Sequence, residues 1–166
     1  YGDAACGLLG FALGDSQYAD KVIVVTDNLV PFPAIPWQIH GNYVDYVVKV
    51  DKVGLPERIV SGTTQITKSP DRLLIAEITA QFCEAAGLIY DGFSYQAGAG
   101  GTALSIGNYF GEILRKNNWK ASFIRAGSNQ YPVELLEEGI VGYILDGQTF
   151  DHEGIRSMRE NPNHVN

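Results

Sequence analysis

Long apolar runs, clustered basic residues and cysteines are what this 166-residue chain has least of. No apolar stretch approaches the roughly 20 residues that a bilayer-spanning helix needs, and no basic and apolar leader is visible. The expectation is a soluble, cytoplasmic protein without a membrane partner. Lys and Arg number 12 against 19 Asp and Glu, a net charge of −7, and the basic residues are scattered. Nucleic acid is thereby argued against, because phosphate contacts need clustered Lys and Arg. The two cysteines, Cys6 and Cys83, lie far apart in unlike surroundings, and Cys83 falls on the apolar face of a predicted helix as a buried free thiol. His40, His152 and His164 have no partner at metal-ligand or catalytic spacing. They read as loop or helix-surface residues, and no structural metal is expected. The chain also opens at Tyr1 without Met and ends at Asn166, which reads as a piece of a longer protein.

What is present is enough to build a core: 45% of the residues are hydrophobic and 11% aromatic. Residues 2–14, rich in Gly and Ala, suggest a loop leading into a short helix. Residues 21–26 (KVIVVT) form a continuous apolar run, the signature of a strand buried on both faces. The three prolines of 31–36 (PFPAIP) impose an extended loop, and 43–50 (YVDYVVKV) reads as a second strand. The mostly polar stretch 51–70 is the best candidate for a domain boundary.

Beyond it, Ser69 and Pro70 look like an N-cap and first residue, and Leu74, Ile75, Ile78, Phe82 and Cys83 recur at helical spacing until Gly87. That predicts a helix over 71–86. A second amphipathic helix carries Ala103, Ile106, Phe110, Ile113 and Leu114, with Thr102 as its N-cap. Strands are predicted at 121–125 and 141–146, with short helices at 132–138 and 150–158. Such alternation is βαβ logic and predicts an α/β layer fold with a largely parallel sheet, whose ligands bind at the carboxyl ends of strands. Loops 97–102, 126–130 and 146–150 follow strands and are placed to converge on one edge.

The stretch 92–102 (GFSYQAGAGGT) organises these expectations. A short strand passes through Gly98, Gly100 and Gly101 into a helix start, where backbone N–H groups and the helix dipole can receive an anion. Equally open is a tight strand-to-helix connection that binds nothing.

The blocks GDSQYADKVIVVTDNLVPFP (14–33), YVDYVVKVDKVG (43–54), IVSGTTQITKSP (59–70), GFSYQAGAGGTAL (92–104), VELLEEG (133–139) and IRSMRENPNH (155–164) resemble the alpha subunit of citrate lyase, the citrate CoA-transferase component. The likeness covers nearly the whole chain and implies an internal fragment of a subunit several hundred residues long. It implies a CoA-transferase-like layered fold with parts of two related domains: 1–66 as the end of the first and 67–166 as the beginning of the second. The implied reaction exchanges acetate for citrate on the thioester of an acyl carrier protein, the thiol belonging to a CoA-derived prosthetic group on the gamma subunit. A beta subunit then cleaves the citryl group. CoA or acetyl-CoA is the implied surrogate, citrate and acetate the small-molecule partners, and an oligomer the implied state of the full complex.

Carried onto this chain, the resemblance makes Gly100, Gly101 and Thr102 catalytic, their amides aimed into a cleft as an oxyanion hole. It makes Gln96, Gly98, Gly100, Gly101, Gly127, Ser128 and Asn129 coenzyme-binding. Many CoA-transferases outside this family carry an ester-forming glutamate whose counterpart falls near Gly127, where this chain has no carboxylate. The turn also departs from the family at Ser128, Asn129 and Gln130. The lack of a carboxylate near Gly127 agrees with what the resemblance implies, direct exchange through an acyl-citrate anhydride with no acylated residue. Glu134, Glu137 and Glu138 read as a solvated helix face, as charge runs usually do. Arg125 suits a citrate carboxylate bidentately, or an ordinary surface ion pair. Asn28 follows a predicted strand, as a substrate-loop residue or a turn residue. The alternative from another class is a non-catalytic α/β piece that supplies half a coenzyme cleft or a subunit contact.

Overall fold

The computed structural model describes residues 7–8, 11–33, 37, 39–55 and 65–165. In chain order the elements are β1 (Gly7–Leu8), α1 (Ala12–Tyr18), β2 (Ile23–Thr26), a single 3-10 turn (Gly41–Tyr43), β3 (Tyr46–Lys49), α2 (Pro70–Ala85), β4 (Ser94–Gln96), α3 (Gly101–Asn117), β5 (Ala121–Ser128), α4 (Gln130–Glu137), β6 (Val141–Thr149), α5 (His152–Glu160) and β7 (His164–Val165). The α/β alternation and mostly parallel sheet match the expected fold class. β4, β5, β6 and β7 run parallel, and β1 joins antiparallel at the Gln148–Thr149 end of β6. A separate two-stranded sheet pairs β2 with β3 in parallel. Residues 56–64, beside the boundary expected near 66, lie outside the described residues, as do Cys6 and 34–36 of the proline loop.

The core forms where helices cover the larger sheet. Leu114 of α3, Ile124 of β5 and Ile144 of β6 are fully buried, and Ile89, Phe93, Ile113, Leu135 and Val141 close around the first two. Each such aliphatic side chain contributes about 1.5–3 kcal/mol by leaving water. α3 ends where Asn118 takes the left-handed conformation (φ 55°, ψ 38°), one of the few non-glycine residues that does so readily.

Several expectations are corrected by tertiary pairing. The apolar stripe of α2 does not face the core: Leu74, Ile75, Ile78 and Phe82 are exposed, while Ala76 and Ala80 are buried. α2 packs on α3, and small residues let the two backbones come close. Cys83, expected buried, is a half-buried free thiol packed against the core. β2, expected to be buried on both faces, exposes Ile23, Val24 and Val25, because no second layer covers it among the described residues. Thr102 is not the N-cap of α3; Gly100 takes the extended cap conformation (φ −77°, ψ 148°) and the helix begins two residues earlier, at Gly101. Residues 126–128 and 146–149 are strand rather than loop, since parallel pairing of β5 with β6 continues to Ser128↔Thr149 across a register shift at Ala126/Gly127.

Candidate functional site at the carboxyl edge of the sheet

In-register pairing places Gln96 of β4 beside Arg125 of β5, and the register shift places Gln148 of β6 opposite Gly127. These residues, with Phe11, Phe150 and their neighbours, line an open cleft of about 180 Å³ at the carboxyl ends of the strands. That is where an α/β sheet presents its ligand site. The Arg125 guanidinium carbon lies 5.8 Å from the Phe11 ring centroid, a cation–π distance. Among the described residues no carboxylate pairs with Arg125. By contrast, Arg115 binds Glu138 through two nitrogens at 2.8 and 2.9 Å, and Arg156 meets Glu137 and Glu153 at 2.8 Å each. Of the two readings of Arg125, the surface ion pair is not found among the described residues.

Glycine at 127 is dictated by Phe150. A Cβ there would stand 1.8 Å from the Phe150 ring, which lies directly over the backbone. Phe150 is held in place by its amide, which donates to the Ser128 carbonyl at 2.9 Å.

Ser128 and Asn129 are brought to the same turn but face inward, at 0% and 1% exposure. The Ser128 hydroxyl donates to Asp146 Oδ2, and Asn129 caps α4 by accepting the Tyr131 amide at 3.0 Å. The Ser128 hydroxyl and the Asn129 Oδ1 are spent on the fold, while the buried Asn129 Nδ2 has no hydrogen-bond partner among the described residues; of the Gly127–Asn129 turn, Gly127 lines the cleft.

The glycine loop occupies a separate position. Gly98 packs against Ala103, where an added Cβ would approach the Ala103 Cβ to 2.9 Å. A Cβ at Gly101 would meet the Gln65 carbonyl at 2.9 Å, and the Thr67 amide donates to the Gly101 carbonyl at 3.2 Å. Close approach of the 65–67 backbone thus gives Gly101 a packing role. Among the described residues, the amides of Gly100, Gly101 and Thr102 donate no hydrogen bond. Gln96 connects the two places, ending the strand that leads into the glycines while lining the Arg125 cleft. Asn28 lies apart, in an exposed loop after β2, with its amide donating to Thr26 Oγ1 at 3.0 Å.

His164 corrects a further expectation: it is a buried strand residue, 3% exposed, with Nε2 at 3.2 Å from Asp146 Oδ2. Spacing along the chain could not reveal this pair, because it depends on β7 docking beside β6. The Asp146-Gly147 dipeptide is the one local hint, since glycine inside a strand pattern often marks a bulge. Glu134 and Glu137 of α4 and Glu138 at its C-cap are exposed and bonded to Gln130, Arg156 and Arg115 respectively. Hydrogen bonding to Arg115 holds the Glu138 carboxyl below its usual range.

The family model for the citrate lyase alpha subunit (CitF) matches residues 1–166. The chain belongs to that family. It is 40% identical over 164 residues to the citrate lyase alpha chain of Haemophilus influenzae and 38% identical to that of Klebsiella pneumoniae. Those alignments cover 99% of this chain but 33% and 32% of the relatives, so the chain spans about a third of their length. A crystal structure of the alpha subunit of citrate lyase from Streptococcus mutans, in complex with citrate, superposes with a TM-score of 0.85 at 44% identity over 99% of this chain and 32% of that one. A Pseudomonas malonate decarboxylase hetero-tetramer in complex with malonate shares the fold alone, with a TM-score of 0.54 at 18% identity over 78% of this chain and 24% of the other.

Proposed function

We propose that this chain forms part of a citrate CoA-transferase that exchanges acetate for citrate on the thioester of an acyl carrier protein. The observation that carries the reading is Arg125, a guanidinium in a cleft beside Gln96 and Gln148 with no carboxylate partner among the described residues, in a chain of the citrate lyase alpha family. Its planar fork suits a carboxylate of citrate, which the amides of the two glutamines can further bind. The citrate-bound relative from Streptococcus mutans supports that choice of substrate.

The exchange is direct. A citrate carboxylate oxygen attacks the acetyl thioester carbonyl, the C–S bond breaks, and a mixed anhydride and a thiolate result. The thiolate then attacks the citryl carbonyl of the anhydride, releasing acetate and leaving the citryl thioester. Both steps pass through an oxyanion, for which the amides of Gly100, Gly101 and Thr102 at the start of α3 are the proposed donors. The chain's contribution is to hold two acyl groups in contact and stabilise charge. CoA or acetyl-CoA serves as a surrogate, and the lyase and acyl carrier subunits are the partners. The glutamates of α4 take no part, their carboxylates being exposed and bonded to neighbouring side chains. Residues 1–66 and 67–166 are the proposed parts of two related domains; β1 pairs with β6 of the larger sheet, and Phe11 lines its cleft.

The second reading, a half-cleft completed by the rest of a longer chain, is favoured by the same one-third coverage and by the exposed apolar faces of β2 and α2. The test is acetate release from acetyl-loaded carrier protein on adding citrate, with the full-length subunit and this chain assayed side by side. Release by the full-length subunit supports the transferase reading; no release from it contradicts it. Mass spectrometry of the protein trapped in turnover should find no acyl adduct on Glu134, Glu137 or Glu138.

A further inference from the structure

Behind the cleft wall lies a buried carboxylate that the proposed chemistry does not use. Asp146 Oδ1 accepts the amides of Ser128 at 3.1 Å and Gln148 at 2.8 Å. Its Oδ2 accepts the Ser128 hydroxyl and faces His164 Nε2 at 3.2 Å. Asp146, Ser128 and His164 are 4%, 0% and 3% exposed, so water does not share these bonds. A carboxylate offers about four lone-pair sites, and all are taken. Toward an ionised carboxylate, which can only accept, the donor of this contact is the Nε2 hydrogen of His164.

The two amides bound by Oδ1 stand on either side of the register shift. Pairing runs Ala126↔Asp146 and then Gly127↔Gln148, leaving Gly147 as the extra residue of a bulge. That bulge brings Gln148 beside Gly127 on the cleft wall. His164 is delivered to Oδ2 by β7, which is registered on β6 by Ile144↔His164 and by the Ile144 amide donating to the Asn163 carbonyl at 2.9 Å.

We propose that Asp146, fastened by His164, is a positioning residue for the citrate end of the cleft. It fixes the bulge, and through it holds Gly127 and Gln148 at the distance from Arg125 that a substrate carboxylate requires. Neither Asp146 nor His164 touches the substrate. This rests on the reading of the Arg125 cleft as the citrate site.

The test uses the full-length alpha subunit with acetyl-loaded carrier protein, varying citrate and the thioester independently. Asp146→Asn should raise the KM for citrate about tenfold while the KM for the thioester stays within about twofold. His164→Gln, whose amide can still donate to Oδ2, should keep the citrate KM within about threefold of the unsubstituted protein, whereas His164→Ala should raise it about fivefold or more. A merely structural role would lower the amount of active protein, and with it the maximal rate, without moving either KM. If Asp146→Asn does not fold, the His164 pair carries the test, and Ser128→Ala should raise the citrate KM about threefold. Citrate KM values within about twofold of the unsubstituted protein in every folded variant would overturn the proposal. Absence of acetate release from the unsubstituted subunit would overturn instead the functional reading beneath it.

Discussion

Val24 and Ile144 sit in largely apolar strand runs, IVVT and VGYIL, yet Val24 is 37% exposed and Ile144 is fully buried. Both runs form parallel strands. The difference lies in what covers them. β6 has β5 and β7 beside it and α4 packed against it, whereas β2 has β3 alone and no covering layer among the described residues. A continuous apolar run thus specifies a strand locally, while its burial depends on layers supplied elsewhere. Residues 65–165 carry their own core, and 11–55 expose apolar faces in a chain that spans a third of its relatives.

The largest effects should separate these two regions. Ile144→Ala removes a fully buried side chain and should cost about 2–5 kcal/mol, whereas Val24→Ala should stay within about 0.5 kcal/mol in this chain. Thermal unfolding of both variants checks it, and similar losses would break the contrast. Gly127→Ala comes next: the added methyl must displace the Phe150 ring along the cleft wall, so citrate affinity should fall about threefold to tenfold while the fold persists. Isothermal titration of the full-length subunit with citrate reads this directly.

The smallest effect belongs to the surface. Glu138 has its carboxyl pKa lowered by hydrogen bonding to Arg115, so its contribution is present above the ordinary value of 4.5 and is lost as pH falls through the folded value. The pair is solvated, and Glu138→Gln should cost well under about 1 kcal/mol near neutral pH. Denaturant midpoints at neutral and acidic pH should differ less in the variant than in the unsubstituted chain.

Element types were legible wherever local chemistry decides. Pro70 opens α2, and Gly87, at φ 70°, follows its cap as foreseen. What local chemistry does not carry is which face of an element meets a partner. The Leu74/Ile78/Phe82 stripe of α2 has the right spacing for a core yet lies outward, and the alanines that do pack give little signal in a periodicity argument. At the site, Gln96, Arg125 and Gly127 were nameable because they sit at strand ends or in a family turn, and the cleft brings them together. Asp146 and His164 were not, because their link needs the β6–β7 register, a long-range pairing with no signature in sequence spacing. Phe11 joins Arg125 only because β1 returns to the far end of β6.

The most direct measurement is citrate binding to the full-length subunit with Arg125 intact and as Arg125→Gln. The account predicts saturable binding that weakens about tenfold or more in Arg125→Gln, with the melting temperature of the unliganded protein little changed. Equal citrate affinity in the two proteins would contradict it.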